Sequence, residues 1–164
     1  MKATAVLGVL SVVLGGCASN PVPDDYTGPT AVIRDTAIQQ GTSRAVFFYV
    51  SEVDGKLVPN ALSASRSASY GRGNQISARA GSRRVPAQRV VLKLEARTAH
   101  GAPIAEIFNS QNMYSASAVV TLNARPGAIY VVKGTLTHGD RRVWLEDATS
   151  GERVGEQANI EPPK

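Results

Sequence analysis

The order of apolar and polar residues along the chain predicts short β-strands separated by turns. Residues 90–97 alternate strictly between an apolar face and a mostly polar face, which is the period of a half-buried strand. Residues 117–123 and 142–146 repeat this alternation. In the last of these segments, Trp144 falls on the face opposite to the two aliphatic residues. The sequence therefore predicts three strands that each bury one side.

Two continuous apolar runs, residues 45–50 and 128–132, predict strands that are covered on both faces. The first run leads to Asp54-Gly55, a dipeptide that favours a two-residue type I′ hairpin turn. Residues 56–58 are therefore predicted to return as its partner strand. Gly134, just after the second run, indicates a bulge or a close approach of another part of the chain.

Three segments are less clearly patterned. Residues 60–70 fit both a short helix capped by Asn60 and a weak edge strand. Residues 71–81, rich in Gly, Ser and Arg, predict a loop, and residues 104–108 form a short apolar piece of unassigned type.

The pattern as a whole gives about seven or eight short strands and no strong amphipathic helix. We therefore predict an all-β fold, an antiparallel sandwich or small barrel, and favour an immunoglobulin-like or transthyretin-like sandwich. Residues 31–156 are predicted to form this domain, and residues 157–164 a disordered tail.

The N-terminal region predicts export. Residues 3–14 are uncharged and mostly apolar, two glycines follow, and Cys17 is the only cysteine in the chain. The run is too short to span a bilayer, which takes roughly 20 apolar residues. Residues 1–16 are therefore predicted to be a signal peptide. Residues 17–30, with several Pro, Gly and Asp residues, are predicted to be an extended tether.

The string Leu14-Gly15-Gly16-Cys17 resembles the lipobox of bacterial lipoproteins. The resemblance implies that the Cys17 thiol receives a lipid, that the signal peptide is removed, and that the tether is anchored to a membrane. Each methylene of an inserted acyl chain contributes about 0.8 kcal/mol. Residue 18 is Ala and not Asp, which by the same resemblance implies the outer membrane, with the domain facing the periplasm. The alternative is an ordinary secretory signal cleaved near Ala18, with an incidental cysteine.

The rest of the chain resembles a group of uncharacterised proteobacterial lipoproteins. This resemblance spans most of the sequence after the signal, but it implies no reaction and no site residue. The segments that carry it are residues 26–31, 47–50, 53–56, 70–73, 130–134 and 143–147.

Composition excludes some kinds of chemistry and indicates the charge of possible partners. A lipidated Cys17 leaves no thiol for a disulfide, a thiolate metal site or cysteine catalysis. The chain carries a net charge of +5, and residues 63–84 contain five arginines and no acidic residue. Such a segment could meet lipid A phosphates, anionic lipids or acidic cell-wall groups, or be a solvated loop. Nucleic acid is not an expected partner of an exported protein.

These observations predict a candidate binding surface. Trp144 belongs to it if it anchors a partner; the alternative is a tryptophan that completes the core or covers a sheet edge. The candidate surface consists of Tyr70, Arg72, Arg79, Arg83, Arg84 and Trp144.

The chain offers no evident catalytic set. His100 and His138 each precede a glycine in a predicted turn, without the ligand spacing of a zinc site. No Gly-x-Ser-x-Gly elbow occurs. The adjacent acids Glu146 and Asp147 would point to opposite faces of a strand, which does not suit a catalytic pair. We therefore predict no catalytic residue, no metal and no cofactor.

The sequence thus favours a non-enzymatic binding or structural module of the cell envelope, in contact with an envelope protein, the cell wall or anionic lipid. Two alternatives stay open. One is an envelope hydrolase acting on cell wall or lipid, with Glu106, Asp147 and a histidine brought together by the fold. The other is a carrier of a lipid or small ligand, which requires a cavity inside the sandwich.

Overall fold

Two β-sheets face one another in the computed structural model, which describes residues 20–158 of the chain. Cys17, the predicted signal peptide and residues 159–164 lie outside the described residues. The elements run in the order β1 (Thr30–Arg34), β2 (Thr36–Gln40), β3 (Arg44–Val53), β4 (Lys56–Leu57), α1 (Ala61–Ser69), β5 (Ser82–Pro86), β6 (Arg89–His100), α2 (Pro103–Phe108), a 3-10 turn (Ser110–Asn112), β7 (Ser115–Asn123), β8 (Ile129–Leu136), β9 (Arg141–Asp147) and β10 (Glu156–Ala158).

The predicted all-β sandwich is confirmed. Sheet A has the strand order β5-β1-β8-β9, and sheet B has the order β10-β7-β6-β3-β2, with β4 paired to β3. Sheet A is mixed rather than purely antiparallel because β1 and β8 are parallel. The sequence pattern did not predict β2 or β10, and β10 extends two residues into the predicted tail. The immunoglobulin-like or transthyretin-like arrangement stays a prediction.

The first continuous apolar run is covered on both faces, as predicted. In β3, Val46, Phe48 and Val50 belong to the core between the sheets. The alternate residues Phe47 and Tyr49 belong to a second cluster on the far side of sheet B, beneath α1. Strand β3 is therefore the element that both layers share.

The second apolar run differs from the prediction. Tyr130 and Val132 are buried in the core, but Ile129 and Val131 are only half-buried, on the outer face of sheet A. The close approach predicted at Gly134 is confirmed. A Cβ atom there would lie 2.4 Å from the Phe48 ring and 2.4 Å from the carbonyl oxygen of Arg142.

The ambiguous segment of residues 60–70 forms a helix. The Asn60 side chain accepts a hydrogen bond from the Ser63 N–H at 3.0 Å, and the Ser63 hydroxyl accepts the Asn60 N–H at 3.2 Å. This reciprocal pair is a capping box. Because Ala61 and Leu62 also bury themselves against sheet B, capping and packing together favour the helix over an edge strand.

The predicted hairpin turn is confirmed as well. Asp54 and Gly55 have φ angles of 49° and 75°, so both central residues occupy the left-handed region. A type I′ turn requires positive φ at both of these positions. The turn joins β3 to the short strand β4.

The chain crosses from sheet A to sheet B at Asp35, which lies between β1 and β2 and is 4% exposed. Its carboxylate accepts the N–H groups of Val50 at 3.2 Å and Ala61 at 2.9 Å. It also forms a buried salt bridge with Arg83. Burial raises the pKa of Asp35, and the guanidinium of Arg83 opposes this rise. One carboxylate thus connects β3, the start of α1 and β5.

We expect Arg83→Met to lower the free energy of unfolding at pH 7 by about 3–5 kcal/mol, since it leaves the Asp35 charge buried without its counter-ion. The loss should shrink as the pH falls, because burial already raises the pKa of Asp35 and a protonated carboxyl carries no charge. Urea unfolding at pH 7 and at acidic pH measures both effects. The matched control is Arg72→Met, at an exposed position, which should leave the midpoint unchanged. An unchanged midpoint for Arg83→Met would contradict the assigned role.

Gly134→Ala should destabilise the fold by about 1–3 kcal/mol, because the added methyl group overlaps the Phe48 ring and a backbone carbonyl. Thermal unfolding followed by circular dichroism measures the loss. Gly139→Ala is the matched control, since a Cβ there meets nothing within 4 Å. Equal melting temperatures for the two variants would show that the sheets separate easily at this point.

Candidate binding cleft

A surface cleft of about 610 Å³ lies between the two helices on the far side of sheet B. The end of α1 forms one wall, with Arg66 and Tyr70, and the start of α2 forms the other. Arg97 and His100, near the end of β6, also line it. A Cβ at Gly101 would lie 2.4 Å from the carbonyl oxygen of Asn74, so the loop after α1 approaches closely only because this residue is a glycine.

Large apolar side chains are exposed at the cleft and on the helix beside it. Tyr70, which lines the cleft, is 93% exposed, and Ile104, Ile107 and Phe108, which lie on α2 but do not line the cleft, are 62%, 72% and 82% exposed. Helix α2 has no buried residue. Clustered large apolar side chains at a surface mark sites of interaction, whereas scattered ones are ordinary. We name these four residues the apolar rim.

Charged side chains line the cleft itself. The Glu106 carboxylate accepts a hydrogen bond from Arg66 at 3.2 Å and forms an ion pair with Arg97 at 3.6 Å. It also accepts the backbone N–H of His100 at 3.4 Å. Glu106 therefore ties α2 to α1 and to β6. With two guanidinium groups around one carboxylate, the cluster keeps a net positive charge.

The His100 side chain completes this site. Its Nδ1 atom is buried and has no hydrogen-bond partner among the described residues. A buried polar atom without a partner is unfavourable, because it loses its hydrogen bonds to water. His100 therefore carries one unsatisfied buried polar atom beside the cleft.

The five arginines of residues 63–84 do not share one surface. Arg66 lines the cleft, Arg72 and Arg79 are exposed on the loop after α1, and Arg83 is 8% exposed. Arg84 is exposed on the outer face of sheet A. The reason is the period of a strand, since neighbouring residues of β5 point to opposite faces. Of the predicted binding surface, only Tyr70 lines the cleft, and Arg83 is not available to a partner.

Trp144 lies on the outer face of sheet A, as its alternation predicts, and is half-buried. Its indole N–H donates to Glu146 at 2.6 Å, and the guanidinium of Arg153 lies 3.9 Å above the ring. A cation at this distance over the indole face is favourably placed. Trp144 therefore belongs neither to the core between the sheets nor to the cleft.

The residues of the hydrolase alternative are only partly brought together. Glu106 lies beside His100, but two arginines occupy its carboxylate. Asp147 lies at the end of β9 in sheet A, where it accepts N–H groups from Thr149 at 2.8 Å and Ser150 at 3.3 Å. A structural role in a turn accounts for these contacts of Asp147.

Other chemistry can be stated for the described part of the chain. His138 lies near the ring of Tyr114, at 6.3 Å between ring centroids. Within residues 20–158, no group of three or more His, Cys, Asp or Glu residues is arranged to hold a metal ion. Among the described helices, none is long and apolar enough to cross a membrane.

Sequence reasoning predicted Tyr70 but missed the exposed residues of α2, although a signal for this helix was present. Pro103 occupies the first turn of the helix, a position that proline favours, and an apolar segment follows it. The short length of that segment left its type unassigned. Its exposure depends on packing, which no local pattern reports.

The chain was compared with protein-family models, curated proteins and solved structures, and none matches.

Asp147 generates a pH prediction. The N–H groups of Thr149 and Ser150, helped by Arg125, hold the pKa of Asp147 below its usual value of 3.8. The ionised Asp147 carboxylate therefore stabilises the folded state fully above pH 3.8. This contribution is lost as the pH falls through the lower pKa that Asp147 has in the folded state. We expect Asp147→Asn to lower the free energy of unfolding at neutral pH. Below pH 3.8 this free energy should fall less steeply in the variant than in the unmodified protein. Urea midpoints of both proteins, measured from neutral pH to below pH 3.8, test this prediction. The same dependence of the midpoint on pH in both proteins would contradict it.

Proposed function

We propose that this protein is a lipoprotein of the outer membrane, anchored through lipid on Cys17, whose sandwich domain faces the periplasm as a binding module. The cleft between α1 and α2 is its contact site. The lipobox resemblance and the Pro-rich segment before β1 support the anchoring. The apolar rim supports the binding role, and it is the observation that carries the proposal.

The chemistry of the cleft indicates the kind of partner. Four exposed apolar side chains would be removed from water when a complementary apolar surface packs on them. The charged wall beside them offers Arg66 and Arg97, which can donate to a carboxylate or a carbonyl group. A segment of an envelope protein that carries apolar side chains next to an acidic one fits both the apolar rim and the arginines of the cleft.

The two alternative functions draw less support. A hydrolase needs a free base, and the carboxylate of Glu106 is held by two arginines and a backbone N–H. A carrier needs an interior cavity, and the space between the sheets contains large buried side chains such as Phe48, Tyr130 and Leu145. We therefore propose a non-enzymatic role.

Cys17→Ser should remove the protein from the outer-membrane fraction and abolish its lipid labelling, because a serine hydroxyl does not take the place of the lipidated thiol. Fractionation of a Gram-negative host and incorporation of a labelled fatty acid measure the change. Ala18→Asp is the matched control; by the lipobox resemblance it should keep the label but retain the protein in the inner membrane. Persistence of Cys17→Ser in the outer membrane would contradict lipid anchoring.

A photo-crosslinking residue at Phe108 of the full chain should yield one discrete protein adduct in living cells, since this side chain is 82% exposed on α2, the helix that forms one wall of the cleft. The double substitution Ile104→Ser with Ile107→Ser should abolish the adduct without changing the fold, because both side chains are exposed. The same crosslinker at Gln88, an exposed residue between β5 and β6, is the control. Identical patterns at Phe108 and Gln88 would contradict the assignment of the cleft.

A further inference from the structure

The outer face of sheet A presents a row of cations that strand pairing brings together. Arg84 of β5 lies opposite Val32 of β1, and Arg34 is two residues further along β1 on the same face. Arg34 lies opposite Val131 of β8, and Lys133 is again two residues further on. Because neighbouring strands lie about 4.8 Å apart, the three cations form a diagonal across three strands.

Trp144 of β9 ends this diagonal, because it lies directly opposite Lys133 of β8. We name Arg34, Arg84, Lys133 and Trp144 the basic face. Its three cations are exposed and take part in no ion pair within the described residues. Arg153 adds a further positive charge above the Trp144 ring.

The acidic groups near the basic face are already engaged. Asp140 forms an ion pair with Arg142 at 2.7 Å, and Glu146 accepts the indole N–H of Trp144. The charged side chains around this face are five basic and two acidic, and Asp24 near Arg84 is a third acidic one within the described chain. The excess is positive, so this face attracts an anionic surface or group.

The face between the cations is apolar. Val32, Ile129 and Val131 are half-buried there, where the second apolar run of the sequence comes to the surface. A flat patch that combines aliphatic residues, long cationic side chains and an indole ring suits the boundary between lipid headgroups and water.

The tether brings the proposed anchor to this face. Residues 20–24 and Arg84 line the same surface cleft at the β5 edge of sheet A, and Asp24 is an acidic residue among them. Cys17 precedes Asn20 by three residues, which span at most about 10 Å of extended chain. A lipid on Cys17 would therefore enter the membrane beside the basic face.

We propose that the basic face lies on the surface of the anionic bilayer in which the Cys17 lipid is inserted. This inference rests on the lipid anchoring proposed above and adds a fixed orientation. Sheet A then faces the membrane, and the cleft beneath α1 and α2, on the far side of sheet B, points away from it. The attraction is electrostatic and acts within a Debye length of the headgroups.

Trp144 is the only tryptophan of the chain and reports on this face directly. The acylated chain, purified from membranes, is reconstituted into vesicles of phosphatidylcholine alone or mixed with phosphatidylglycerol. We expect acrylamide to quench Trp144 about two-fold less in the anionic vesicles, because the headgroups cover the indole. High salt should restore the quenching, since it screens the attraction.

Charge reversal supplies the matched comparison. In the triple variant Arg34→Glu, Arg84→Glu, Lys133→Glu, acrylamide should quench the fluorescence of Trp144 equally in both kinds of vesicle. Its control reverses the same number of exposed arginines away from sheet A and should behave as the unmodified protein. The control positions are Arg72, Arg79 and Arg89.

Flotation of the vesicles separates the two proposals. If the chain floats with both vesicle types but Trp144 is quenched equally in them, the orientation is overturned and the anchoring stands. If the chain floats with neither, both are overturned. Protection of Trp144 by an acidic polypeptide and not by anionic vesicles would assign this face to a protein partner and overturn the membrane contact.

Discussion

The buried salt bridge between Asp35 and Arg83 is the interaction on which the arrangement of this protein depends. It lies where the chain passes from one sheet to the other, and the carboxylate also holds backbone N–H groups of β3 and of the start of α1. Burial alone would favour a neutral carboxyl group, as the raised pKa of Asp35 indicates. The arginine and the two N–H groups compensate for the hydrogen bonds to water that the buried carboxylate has lost, so the loss of any one of them leaves it under-satisfied.

This corner also determines where the cleft forms. The N–H of Ala61 that Asp35 accepts belongs to the first turn of α1, so the carboxylate fixes the start of the helix against sheet B. The other end of α1 supplies Arg66 and Tyr70 to the cleft. Because β3 is apolar on both faces, the same strand supports the core between the sheets and the layer beneath α1.

The candidate site was less predictable than the fold. Period-two alternation identified β6, β7 and β9 with their inward faces, since burial of one face imposes that period. Alternation in β5 also places Arg83 and Arg84 on opposite faces. They were nevertheless predicted to share one surface, because residues 63–84 contain so many arginines. Strand β2 has few apolar residues because it is a half-exposed edge strand, so it carries little of the pattern.

By itself the sequence determined the class of the fold, the type I′ turn at Asp54-Gly55 and the outward side of Trp144, because each follows from a local rule of backbone geometry or burial. Only the tertiary structure decided that Arg83 is buried, that Glu106 joins two arginines, and that Arg34, Arg84 and Lys133 share one face. These groupings join residues far apart in the chain. Strand pairing and sheet packing set such distances, and no local pattern contains them.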